Sequence, residues 1–243
     1  MKKKTINKKV LNILYSSIEK TKILKREERF LAAISGGKDS IFMLDLLFLY
    51  SKELRMEWEI IPVYLHLLHY KENIKEKMKN LLQKYTYNFV IEEIDLEKNL
   101  RKKDSICYTC SRIRKMKLFD IAKKQNVKKI ALAHNADDVV ETYLMNIIFS
   151  GETSTLMPVQ DFFNGKFIII RPIYTINSKL INKYIKENDL NIVVKKQCIY
   201  TSSNKREKIR EFLLSMENEE VIRKNIYRAI NNINKNYIPD LKK

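Results

Sequence analysis

The run Ser35-Gly36-Gly37-Lys38-Asp39-Ser40 places two of the chain's four glycines beside a lysine, an acid and two hydroxyls. Adjacent glycines let backbone N–H groups approach a phosphate closely. A helix N-terminus behind them adds partial positive charge, and Lys38 adds a full one. Asp39 would repel a bare phosphate, and makes sense facing a magnesium ion. The ordinary alternative is a Gly-Gly turn with a capping serine; the Walker pattern is absent. A second run, Ala131-Leu132-Ala133-His134-Asn135-Ala136-Asp137-Asp138 with Glu141-Thr142 behind it, closes an apolar stretch on a histidine and two acids. Those acids would also serve simply to cap a helix. Third, Cys107 and Cys110 form a C-x-x-C pair, and Cys198 stands alone downstream. Three thiols admit four readings: zinc completed by a histidine, a redox or persulfide pair, inert buried thiols, or a [4Fe–4S] cluster with one iron left open.

The elements that must position these groups follow from hydropathy. Leu11, Leu14 and Ile18 mark a first amphipathic helix. Strands are expected at Phe30–Ile34, Ile60–His66, Phe89–Ile94, Lys129–His134 and Phe167–Arg171, with a further strand-like stretch at Asn191–Val194. Between them, helices are expected at Ile41–Tyr50, Lys71–Tyr85, Arg112–Gln125, Ala136–Phe149 and Ser178–Asn188, and helical patterning resumes from Asn204. Strands alternating with helices predict an α/β fold: a doubly wound, mostly parallel, Rossmann-like sheet with helices on both faces. The expected organisation is a basic N-terminal helix at 1–27, the α/β domain at 28–200 and a helical extension at 201–243. In such sheets ligands bind beyond the strand C-terminal ends, where the three motifs fall.

With 47 Lys+Arg against 29 Asp+Glu, the net charge of +18 points to a polyanionic partner. The excess is concentrated in residues 1–30 and in 101–130, around the cysteine pair. No apolar run is long enough to span a membrane, and the basic N-terminus lacks the apolar core of a secretory leader, so a cytoplasmic protein is expected. Three cysteines make a poor disulfide framework.

The string SGGKDS resembles the pyrophosphate loop of N-type ATP pyrophosphatases, the PP-loop superfamily with an adenine nucleotide alpha hydrolase-like fold, which adenylate a substrate oxygen and release pyrophosphate. AHNADD…ET is similar to the signature of its tRNA-modifying members. Cys107-Tyr-Thr-Cys110-Ser-Arg-Ile-Arg-Lys, the Ile170-Arg171-Pro172-Ile173 segment and the position of Cys198 resemble the tRNA 2-thiocytidine synthetases; the likeness covers roughly residues 28–215. The chain departs from that pattern in ending its second strand with YLHLLHY, and in having no second cysteine near Cys198. Lacking cysteines for zinc ribbons, it favours the thiocytidine over the thiouridine branch.

The resemblance implies ATP held by Ala33, Ile34, Ser35, Gly36, Gly37, Lys38, Asp39, Ser40, Leu65, His66, Ala133 and His134. It implies Mg2+ on Asp39 and Asp138, and a [4Fe–4S] cluster on Cys107, Cys110 and Cys198. Catalytic roles would fall to Asp39, Asp137, Asp138 and Arg114, and tRNA contacts to Arg112, Arg114 and Lys115, whose alternative is a solvated helix face. The implied reaction is thiolation of a pyrimidine C2, with cytidine at position 32 of the anticodon loop favoured. The implied assembly is a homodimer; the sequence does not name the sulfur donor. The alternatives are a tRNA 2-thiouridine synthetase, a persulfide-using tRNA sulfurtransferase, and a lysidine synthetase-like ligase.

Overall fold

A run of apolar residues flanked by charge makes the first strand, β1 (Glu27–Ile34), in which Phe30, Leu31 and Ala32 are fully buried. Continuous burial of this kind belongs to a parallel strand covered on both faces. The computed structural model describes residues 2–68, 70, 72–96, 106–194, 205–234 and 236. Around β1 lie β2 (Glu57–Leu67), β3 (Val90–Ile94), β4 (Lys129–Ala131), β5 (Val159–Phe162) and β6 (Phe167–Ile170), in the spatial order β3-β2-β1-β4-β6-β5. All neighbours are parallel except β5, which runs antiparallel to β6 at the edge. The order reverses between β1 and β4, and this switch point opens a crevice beyond the strand C-termini.

The helices that belong with the sheet are α1 (Lys2–Thr21), α2 (Lys38–Glu53), α3 (Glu72–Gln83), α4 (Ile106–Lys124) and α6 (Ser178–Asn188). α1 buries Ile6, Val10, Leu14 and Ile18 at a spacing of four, which makes one stripe along a helix. α2 is apolar nearly all round and buries Ile41, Phe42, Met43, Leu44, Leu46 and Leu47. Beneath it, Asp45 accepts hydrogen bonds from Tyr85 (2.8 Å) and Tyr184 (2.6 Å), tying α2 to the end of α3 and to α6. Asn177 caps α6 by accepting from the Leu180 N–H.

Two compact units emerge, residues 1–135 with 157–202, and residues 136–156 with 203–243. The first contains the sheet. The second contains α5 (Ala136–Ser150), α7 (Lys205–Leu214) and α8 (Glu219–Ala229), packed through Val140, Ile209 and Leu213, with Leu144, Ile222 and Ile226 around them.

Four expectations are corrected. α4 begins at Ile106 rather than Arg112, so the cysteine pair lies in its first turns; Cys, Tyr and Thr are weak helix formers, and the periodic apolar signal starts only at Ile113. β4 ends at Ala131, three residues short of His134. β5 is an addition, because VQDF behind Pro158 has no strand signature until β6 and the positive-φ turn Phe163-Asn164-Gly165 supply its partner. Asn191–Val194 is not a strand; there the Val194 N–H donates to the Gly36 carbonyl at 2.9 Å.

Candidate active site

The phosphate-loop sequence leaves β1 at Ile34, which is paired in register with Tyr64 of β2, and enters α2 at Lys38. Gly36 sits at φ +79°, and a Cβ there would come within 2.7 Å of the Val194 side chain. Glycine is required twice over, by conformation and by space. Gly37 is the N-cap of α2, and no side chain caps the helix. The first N–H groups of α2 therefore lack the usual capping partner, which is the arrangement that receives an anion. Ser40 holds the turn closed: its buried Oγ accepts from the Ser35 N–H (3.1 Å) and Ser35 Oγ (3.1 Å), and donates to the Gly37 carbonyl (2.8 Å). Lys38 Nζ donates to Asp39 Oδ1 at 2.7 Å.

β4 delivers the second motif to the adjacent strand end. Asn135, buried, donates from Nδ2 to Asp39 Oδ1 at 3.1 Å, and to Ser178 Oγ at 3.4 Å. The two motifs thus meet at the switch point through one amide–carboxylate contact. His134, half-buried, accepts at Nδ1 from Arg171 Nε at 3.0 Å. Arg171 follows β6, is buried, and stays protonated in the neutral range although burial pulls its pKa down to about 10. Ala33 is half-buried near the end of β1, Ala133 is half-buried two residues past β4, and Ile34 is buried. Leu65 and His66 are buried within β2, with Tyr64 Oη 3.3 Å from His66 Nδ1. Tyr64 is pushed up to about 12 by burial and by Tyr70, an effect opposed by the positive charge of Arg114.

The acids of the second motif belong to the second unit, where arginines of α7 and α8 meet them. Arg206 donates to Asp138 (3.2 Å) and Thr142 (3.1 Å). Arg210 grips the buried Glu141 carboxylate with two hydrogen bonds, each of 3.1 Å. Arg223 lies 3.8 Å from Asp137 and 3.7 Å from Glu141. Sequence reasoning missed these arginines, together with Asn135 and the role of Arg171. The acids and the histidine they meet lie 37 to 96 positions away in the chain, and a basic residue in a basic sequence carries no signal of its own.

Cys107 and Cys110 lie one turn apart on α4; Cys110 is half-buried against the main core. The side chain of Cys107 and all of Cys198 lie outside the described residues. Among the described residues no three His, Cys, Asp or Glu gather to hold a metal. Magnesium is ordinarily held by one or two carboxylates and the phosphates of its nucleotide, and Asp39 beside the anion-receiving turn suits that mode. A set of three thiolates, two of them one helical turn apart, suits a cluster with one open iron and is one ligand short of a closed structural zinc site. Further along α4, Arg112 and Lys115 are exposed and Arg114 is half-buried, with Lys115 Nζ 5.2 Å above the Phe162 ring. No described helix is long and apolar enough to cross a membrane.

The family model of the PP-loop domain matches residues 3–217, and the chain belongs to that family, on its tRNA 2-thiocytidine synthetase branch. The tRNA-cytidine(32) 2-sulfurtransferase of Ralstonia pickettii is 30% identical over 220 residues, covering 88% of this chain and 69% of that protein. The protein of the same name from Dichelobacter nodosus is 30% identical over 222 residues, covering 87% and 80%. Among solved structures, the U34-tRNA thiolase NcsA from Methanococcus maripaludis, which carries a [4Fe-4S] cluster, shares the fold with a TM-score of 0.76 at 19% identity, covering 95% of this chain and 81% of that one.

Proposed function

We propose that this protein is an ATP-dependent tRNA sulfurtransferase that replaces the C2 oxygen of cytidine 32 by sulfur. The observation that carries the reading is the Asn135–Asp39 hydrogen bond, which brings the AHNADD and SGGKDS motifs together where the sheet order reverses. Family membership and the curated relatives' names supply the substrate class. Cytoplasmic location and a homodimer belong to the same reading.

A ring carbonyl oxygen is a poor leaving group. In the proposed first step the C2 oxygen attacks the α-phosphorus of ATP, the bond to the bridging α–β oxygen breaks, and pyrophosphate departs. The N–H groups at the start of α2 and the Lys38 ammonium would hold the phosphates and neutralise the charge that gathers on the leaving pyrophosphate. Asp39, already held by Lys38 and Asn135, would present a carboxylate to magnesium. Sulfur then takes the place of AMP at C2. Cys107, Cys110 and Cys198 would hold the cluster, which when bound supplies a thiophilic iron with one position open to exogenous sulfur. Arg112, Arg114 and Lys115 would contact the tRNA backbone.

The test is nucleoside mass spectrometry of tRNA incubated with the anaerobically reconstituted enzyme, ATP and sulfide. The wild type is expected to form 2-thiocytidine with AMP and pyrophosphate. Lys38→Ala is expected to form none while retaining tRNA binding. Thiolation that persisted in that variant would overturn the ATP assignment, and 2-thiouridine as the product would overturn the base.

A further inference from the structure

Two helices packed side by side, α6 and α1, present lysines outward in a pattern that helix stability disfavours. α6 carries Lys179, Lys183 and Lys186 at positions i, i+4 and i+7, which share one side of a helix, and all three are exposed. Its opposite side buries Ile181, Tyr184 and Ile185. α1 opens on three lysines, has no acid in its first turn, and exposes Lys4, Lys8 and Lys9. Like charges four apart repel, and cations at a helix N-terminus oppose its dipole. Each helix holds a single acid: Glu19, 3.0 Å from Lys22, and Glu187, 3.9 Å from Lys183. Among the described residues Lys4, Lys8, Lys9 and Lys186 make no ion pair.

The two faces are joined, and one end lies at the crevice. Ser178, the first residue of α6, accepts at 3.4 Å from the Asn135 amide that also donates to Asp39. At the other end of the helix, about 16 Å away, Asn188 Nδ2 donates to Asn7 Oδ1 of α1 at 3.0 Å. The lysines therefore run from the mouth of the crevice along α6 and onto α1. A membrane surface is a poor match, because an interfacial helix inserts an exposed apolar side. α1 spends its apolar stripe on the core, and Tyr15 is the one large hydrophobic side chain exposed on either helix among the described residues. A row of cations with one exposed aromatic ring suits a nucleic acid, whose phosphates pair with lysine and whose bases stack on tyrosine.

We propose that the outer faces of α6 and α1 form the track on which the tRNA backbone docks, feeding the target loop into the crevice at the start of α6. This rests on the reading of the protein as a tRNA sulfurtransferase and deepens it. The lysines position the substrate by its phosphates and carry no base specificity.

The experiment measures binding of a tRNA transcript with cytidine at position 32 to the full chain over a range of salt concentrations. Lys183→Ala with Lys186→Ala is expected to weaken binding roughly ten- to thirtyfold at about 0.15 M salt, and to lower the log–log salt slope by about 1.4 to 1.8, as two lost phosphate contacts require. Lys4→Ala with Lys8→Ala is expected to do the same. Lys128→Ala with Lys166→Ala removes equal charge from exposed sites on neither helix, and is expected to bind like the wild type. All three variants should melt like the wild type and keep its affinity for Mg2+ with ATP. Unchanged affinity and slope in both helix variants overturn the proposal. An equal loss in the Lys128 and Lys166 variant overturns it too, since the effect would then be one of net charge. If the helix variants keep tRNA affinity but lose binding to phosphatidylserine vesicles, the surface is a membrane contact and the proposal falls. A wild type with no salt-dependent affinity for tRNA sinks the tRNA reading itself, so the two failures are told apart.

Discussion

Two adjacent glycines have different reasons for being glycine. At Gly36 an alanine would be forced into a left-handed conformation and into the β-branched Val194, which cannot swing aside. Gly36→Ala is expected to cost about 2–4 kcal/mol and to lower the thermal midpoint along with nucleotide affinity. Gly37 has φ −80°, and its added Cβ would meet only Ser35 Oγ at 3.5 Å. Gly37→Ala should therefore melt like the wild type, and any loss it shows in nucleotide affinity reports close approach of the phosphate to the backbone. A second residue-scale prediction concerns Tyr64 and Tyr50. Burial, first, pushes both hydroxyls up to about 12, aided by Tyr70 at Tyr64 and by Glu19 at Tyr50. A folded-state value raised above the unfolded one near 10 gives stability that is complete below pH 10 and is lost as pH rises from 10 to 12. Denaturant midpoints measured between about pH 9 and 12 should fall through that window, and less steeply in Tyr64→Phe.

Among elements, α5 is held to α7 and α8 by charge as much as by apolar contact. Val140, Ile209 and Leu213 make only a small core, and the Glu141 carboxylate at its edge is 3% exposed. Glu141→Ala would leave Arg210 and Arg223 facing a vacated site. Arg210, 43% exposed, can turn to water, so the expected loss is about 2–4 kcal/mol rather than the full cost of a stranded buried charge. Urea denaturation is the measurement, and Glu141→Gln should lose less. Arg210 itself is held above the usual guanidinium range, first by its hydrogen bonds to Glu141, so this clamp does not respond to pH in the neutral range.

The whole molecule combines 47 basic against 29 acidic side chains with a cysteine pair, Cys107 and Cys110, in the cation-rich stretch 101–130. Anaerobically prepared protein is expected to carry about four irons per chain, as one [4Fe–4S] cluster requires, and to lose them in Cys107→Ala, Cys110→Ala or Cys198→Ala. Iron quantitation with the visible absorption spectrum checks this; stoichiometric zinc without iron after reconstitution would end the cluster reading. The exposed apolar residues Ile148, Phe212, Leu214 and Val221 of α5, α7 and α8 are the described surface on which a homodimer would be sought, by sedimentation.

Motifs made of neighbouring residues are legible in the sequence by itself, because local chemistry and backbone freedom are set by adjacent side chains. Thus Ser35–Ser40 and the alternation of strand and helix are both readable there, and the parallel sheet follows from them. Partnerships across the chain are not. That Asn135 meets Asp39, that Arg171 donates to His134, and that Arg206, Arg210 and Arg223 meet the acids of α5 depend on strand order and helix packing. The same holds for β5 and for the early start of α4. An edge strand of four residues and a helix opening on Cys-Tyr-Thr-Cys have too little local preference to declare themselves, and only the tertiary contacts around them supply the missing free energy.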